Sequence, residues 1–112
     1  MSGITTHVLD TSRGCPAAGV HIELHRKVGE SWIAAGEGRT DSNGRCNTLM
    51  GDAQLEAGTY RLVFHTGAYF QARNTETFYL DIPILFEVRE PSAHYHVPLL
   101  ISPFGYSTYR GS

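Results

Sequence analysis

His94 and His96 lie two residues apart in a strand-like run, so their imidazoles share one face, about 7 Å apart along the chain. An imidazole titrates near neutral pH and can take a proton from water. His7, in Thr5-Thr6-His7-Val8-Leu9-Asp10, is a third candidate, on the face opposite Ile4 and Val8 if the alternation is regular. Arg45 follows an Asn43-Gly44 turn, and its rigid fork suits planar carbonyls or an oxyanion. The last four residues, Tyr109-Arg110-Gly111-Ser112, set a phenol, a guanidinium, a glycine, a hydroxyl and a terminal carboxylate side by side. Taken singly, each feature has a plainer explanation. A strand histidine is more often a satisfied structural residue, an arginine after a turn is more often solvated, and termini usually fray.

The elements that must position these groups read as strands. Val20, Ile22 and Leu24 alternate with His21, Glu23 and His25, giving one buried and one solvated face. Tyr60, Leu62 and Phe64 alternate with Arg61, Val63 and His65, and Ile84, Phe86 and Val88 with Leu85, Glu87 and Arg89. Trp32-Ile33-Ala34-Ala35 begins a further strand running towards Thr40. Turn residues at Arg13–Pro16, Val28–Glu30, Asp41–Gly44 and Ala57-Gly58 separate these runs. Short strands joined by such turns indicate an antiparallel sandwich or barrel. Gly67–Arg73 breaks the pattern and predicts one or two helical turns. Pro98 lacks a ladder N–H, so a bulge is expected beside His96.

Composition narrows the function. The 112 residues predict a single domain spanning 1–112, large enough to fold without staples. A net charge of −2 with a single lysine, Lys27, argues against nucleic acid as a partner. No apolar run approaches a bilayer span, and the first residues lack the charged and apolar regions of an export signal. The expected location is the cytoplasm, with no membrane partner. Cys15 and Cys46 lack CxxC spacing and are expected as reduced thiols. His21, Glu23 and His25 suggest a metal only weakly; a solvated face is the better expectation, and no metal is assigned. There is no phosphate-binding glycine loop and no Gly-x-Ser-x-Gly elbow.

The segments Thr6–Asp10, Gly14-Cys15-Pro16-Ala17, Thr40–Arg45, His94–Leu100 and Tyr109–Ser112, in that order, resemble the transthyretin-like family, and within it the 5-hydroxyisourate hydrolases. The terminal tetrapeptide is the most specific element. The resemblance implies an all-β, prealbumin-like sandwich of two four-stranded antiparallel sheets with one short helix. It implies a homotetramer, a dimer of dimers, with the first strand and the His94–Ile101 strand adjacent along a central channel. It implies hydrolysis of 5-hydroxyisourate, a purine-derived substrate, without a cofactor. It places catalytic roles on His7, Arg45, His96 and Ser112, with substrate contacts from His7, Arg45, Tyr109 and Ser112. The rival expectation is a non-catalytic small-ligand carrier of the transthyretin type.

Overall fold

A computed structural model describes residues 3–112. Its strands, in chain order, are β1 (Gly3–Asp10), β2 (Cys15–Pro16), β3 (His21–Val28), β4 (Ser31–Arg39), β5 (Arg45–Cys46), β6 (Gly58–Phe64), β7 (Ile82–Val88), β8 (His94–Ser102) and β9 (Gly105–Thr108). A helix, α1 (Thr66–Gln71), separates β6 from β7. One sheet runs β2-β1-β8-β9, with β5 also pairing β1; the other runs β4-β3-β6-β7.

Side-chain alternation sets the core between the sheets. Ile4 and Val8 of β1 and Tyr95, Val97, Leu99 and Ile101 of β8 point inward. They meet Ile22 and Leu24 of β3 and Leu62 and Phe64 of β6. Each fully buried side chain of this size stabilises the fold by about 1.5–3 kcal/mol. Because the odd positions of β8 face the core, His94, His96 and Pro98 must lie on the outer face of their sheet. The same argument turns Thr5 and His7 of β1 outward.

The two-sheet sandwich with one short helix is the expected fold, with two differences inside the first sheet: β5 makes it five-stranded rather than four-stranded, and it is not wholly antiparallel. There β1 and β8 run parallel, from Gly3 opposite His94 to Asp10 opposite Ile101. Parallel neighbours need a long crossover rather than a hairpin, and here the whole second sheet lies between them in sequence.

The bulge expected beside His96 is absent. The β1–β8 register is unbroken, and Leu99 opposite Thr108 continues in step to His96 opposite Gly111. In that alternation Pro98 should donate to Tyr109 and has no N–H to do so. The ladder therefore lapses at this pair and resumes at Gly111, without changing register. The Pro98 carbonyl accepts from the Thr108 hydroxyl at 2.7 Å. The irregularity in the sheets falls instead between Leu24 and His25, opposite β4.

The helix forms where the helical turns were expected. At six residues it is too short to persist alone. Tertiary contacts hold it: Tyr69 and Phe70 are buried, and the Tyr69 hydroxyl donates to Asp10 Oδ2 at 2.9 Å. Burial and the neighbouring Asp10 carboxylate both raise the Tyr69 pKa. Asp10, itself buried, also accepts from the Ser12 amide and hydroxyl. No helix among the described residues is long and apolar enough to cross a membrane.

Candidate active site

On the outer face of the first sheet, the parallel register sets Thr5 beside His96 and Gly3 beside His94. Thr5 therefore lies between two imidazoles. Its Oγ1 is 2.7 Å from His94 Nε2 and 2.9 Å from His96 Nδ1. A hydroxyl has one proton, so it donates to one ring and accepts from the other. The two tautomers are thereby coupled.

β5 brings in the guanidinium. Its two residues pair with β1, placing Arg45 opposite His7. The turn before it is built on Asp41, whose carboxylate accepts from the amides of Asn43 (2.8 Å) and Arg45 (3.0 Å). Those two hydrogen bonds, aided by the charges of Arg45 and His7, hold Asp41 below its ordinary pKa of 3.8. Gly44 is required here. Its φ is +77°, and a Cβ would stand 2.4 Å from the Val8 carbonyl oxygen. The Asn43 carbonyl accepts from His7 Nε2 at 3.0 Å, which leaves Nδ1 of a neutral His7 with its lone pair.

The tail folds back over β8. The Gly111 amide donates to the His96 carbonyl at 2.8 Å. Arg110 lies over the Tyr95 ring, 4.5 Å from its centroid. Ser112 is thereby carried to the histidines. Thr5, Arg45, Asn47, His94, His96 and Ser112 line one open hollow of about 330 Å³. Burial lowers the His96 pKa from its ordinary 6.5, and the charges of Arg45, His94 and His7 lower it further. A neutral imidazole beside a guanidinium and a hydroxyl can accept a proton from water while the guanidinium receives negative charge.

Three of the four residues expected to be catalytic, Arg45, His96 and Ser112, thus share this hollow. His7, the fourth, does not line it; it pairs opposite Arg45 across the β1–β5 ladder. Tyr109 is placed otherwise. With the ladder lapsed at Pro98, it lines an adjoining apolar hollow of about 260 Å³ with Ile84, Phe86, Tyr95 and Arg110, and within the subunit it does not reach the polar one. Thr5 and Asn47 escaped sequence reasoning. Thr5 shares His7's strand face, but only the parallel register reveals what it touches. Cys15 and Cys46 are both free thiols, and neither lines the hollow.

The chain is similar throughout to known proteins. It is 49% identical to a 5-hydroxyisourate hydrolase of Mesorhizobium japonicum, over 97% of this chain and 91% of that one. The solved structure of Klebsiella pneumoniae 5-hydroxyisourate hydrolase is 41% identical, with all of each chain covered and a TM-score of 0.87. Sea bream transthyretin, solved in complex with thyroxine, is 31% identical with a TM-score of 0.90, covering 96% of this chain and 93% of that one. A model of the HIUase/Transthyretin family matches residues 4–111, and the chain belongs to that family.

Proposed function

We propose that this protein hydrolyses 5-hydroxyisourate to 2-oxo-4-hydroxy-4-carboxy-5-ureidoimidazoline, a step of urate breakdown. The observation that carries this reading is the meeting of Arg45, His96 and Ser112 around one polar hollow. Relatives bearing the hydrolase name at 41–49% identity over nearly the whole chain support it. A polar, carbonyl-rich ring suits such a lining.

In this reading His96 is the general base. The productive tautomer has His96 Nδ1–H donating to Thr5 Oγ1, and the Thr5 hydroxyl donating to His94 Nε2. His96 Nε2 then keeps its lone pair. It takes a proton from water as the oxygen adds to the ring carbonyl. Arg45 receives the charge that develops on the carbonyl oxygen. Collapse breaks the C–N bond, and the proton held by His96 passes to the leaving nitrogen. His7 orients the water through Nδ1, and the Ser112 hydroxyl holds a substrate amide or carbonyl.

The working unit in this proposal is a homotetramer built from dimers. β7 and β9 are edge strands, and both border the apolar hollow that holds Tyr109. Pairing these edges across a two-fold axis would cover unpaired ladder groups.

The test is direct. Urate and urate oxidase generate 5-hydroxyisourate in the cuvette, and its ultraviolet decay is followed with and without the protein. Accelerated decay is expected; decay at the spontaneous rate overturns the proposal.

A further inference from the structure

The outer face of the second sheet carries a cluster that the hydrolytic site does not use. β3 and β6 are antiparallel, with Ile22 opposite Phe64. One step further, His65 lies opposite His21, its amide donating to the His21 carbonyl at 2.9 Å. Glu23 shares the outer face with His21, because Ile22 and Leu24 point into the core. His21, Glu23 and His65 each offer a ligand atom, and these atoms lie within 4.8 Å of one another. The two imidazoles stack, with centroids 4.9 Å apart and planes 13° from parallel.

His65 is held between two carboxylates. Its Nδ1 is 3.1 Å from Asp81 Oδ1, and its Nε2 is 2.6 Å from Glu23 Oε2. A neutral imidazole has one N–H and can satisfy one of them; its other lone pair then faces a carboxylate. A cation at Nε2 removes the conflict, whether a second proton or a metal ion shared with Glu23. A histidine that donates Nδ1–H to a carboxylate while offering Nε2 is the usual oriented ligand of a transition metal.

His25 is outside this donor set. Its Nδ1 accepts from Arg61 Nε at 3.2 Å, so its Nε2 carries the proton that faces Glu23 Oε1 at 3.3 Å. Glu37 stands at the rim, 2.9 Å from His21 Nε2, and offers a further oxygen. Three carboxylates, those of Glu23, Glu37 and Asp81, therefore surround two imidazoles. Arg39 and Arg73 line the same hollow as His21 and His65, but each nearby guanidinium also has a partner of its own. Arg39 donates to the Gly19 carbonyl, Arg61 covers Trp32, and Arg73 covers Tyr69. The side chains of His21, Glu23 and His65 are 24–37% exposed, which leaves an entry path from solvent.

We propose that His21, Glu23 and His65 bind a divalent transition-metal ion of the zinc class, with Glu37 or water completing the shell. Two imidazoles and a carboxylate suit zinc, whereas magnesium and calcium prefer oxygen alone. Rotation of these half-exposed side chains brings the donors to bonding distance of about 2.0–2.2 Å. The site lies on the opposite outer face of the sandwich from the hydrolytic hollow.

The test is calorimetric titration of chelator-treated protein with Zn²⁺ at neutral pH, with visible absorption of Co²⁺ as a second readout. Because the hydrolytic hollow also holds imidazoles, the titration is run in a His94→Asn/His96→Asn background. One equivalent per chain is expected there. Adding His21→Asn with His65→Asn, or Glu23→Gln alone, should weaken it by at least about tenfold, and Asp81→Asn by about 10–100-fold. Hydrolase activity of His21→Asn/His65→Asn in the otherwise unaltered chain should be unchanged, which checks its fold; if that variant misfolds, Glu23→Gln decides. Failure to bind millimolar Zn²⁺ or Co²⁺, or binding undiminished by loss of these side chains, overturns the proposal.

Discussion

Gly111 lies against the ring of His96 so closely that a Cβ at that position would stand 2.6 Å from His96 Cδ2 and 3.2 Å from Pro98 Cγ. The glycine is thus required by a side chain rather than by its own backbone. Gly111→Ala should push the tail off β8 or tilt the imidazole. A displacement near 1 Å costs about 100-fold in rate when reacting groups are misplaced. Steady-state kinetics on 5-hydroxyisourate should show a fall of roughly 10–100-fold with an unchanged melting temperature. Full activity would mean that the tail does not position the site.

His96→Asn should lose about 10²–10⁴-fold in turnover, the scale of a general acid–base group. Turnover within a few-fold of the parent would remove His96 as the base.

Acid should act on the same group in a defined direction. Burial, with the charges of Arg45, His94 and His7, places the His96 pKa below 6.5, so the neutral base persists to lower pH than for a free imidazole. The acid limb of kcat/KM should therefore lie below pH 6.5. Stability follows the same sign. Between 6.5 and the lowered pKa the unfolded chain binds more protons at this residue, so its contribution to stability falls as pH falls. Arg45→Gln, which removes one of the positive charges acting on His96, should move the acid limb upward; a limb that stays put would sever the electrostatic link.

Thr5→Val keeps the shape of the side chain and deletes the bridge between His94 and His96. Loss of this half-buried hydrogen bond costs roughly 1–3 kcal/mol, or about 10–100-fold in turnover if the lost orientation is felt in the transition state. The pH profile should shift as well, because the two tautomers are no longer coupled. Thr5→Ser should restore both rate and profile. Rescue that fails, or a valine variant with the parent's profile, would make Thr5 a packing residue.

Gly44→Ala tests the turn that presents Arg45. A side chain at φ +77° that also meets the Val8 carbonyl should destabilise the protein by about 1–3 kcal/mol. Thermal melting should report the loss, with reduced activity because Arg45 is displaced. An unchanged melting temperature would show that the turn can relax without cost.

Much of this architecture is legible in the residues. The alternations at Val20–Leu24, Tyr60–Phe64 and Ile84–Val88 mark the inward faces, because period two leaves little choice once one face is apolar. His94 and His96 fall on one face for the same reason. What local pattern cannot carry is pairing between distant strands. The parallel neighbourhood of β1 and β8 makes Thr5 the bridge between two histidines, and nothing within either segment announces it. His65 likewise, and not His25, stacks on His21 and joins it and Glu23 in one donor set, since cross-strand register rather than spacing decides which imidazoles meet. Pro98 misleads for a further reason. The ladder accommodates it by omitting one pair, which takes less rearrangement than inserting a residue.

Thr5 and His96 are 91 positions apart and yet share a hydrogen bond. Closing so large a loop is entropically slow and comes after local hairpins have formed. During synthesis on the ribosome, β3, β4 and β6 can emerge and pair while β1 still waits for its neighbour. The polar hollow around His96 is thus among the last regions to take shape, and until then the edge of β1 that β8 will cover stays open to other nascent chains.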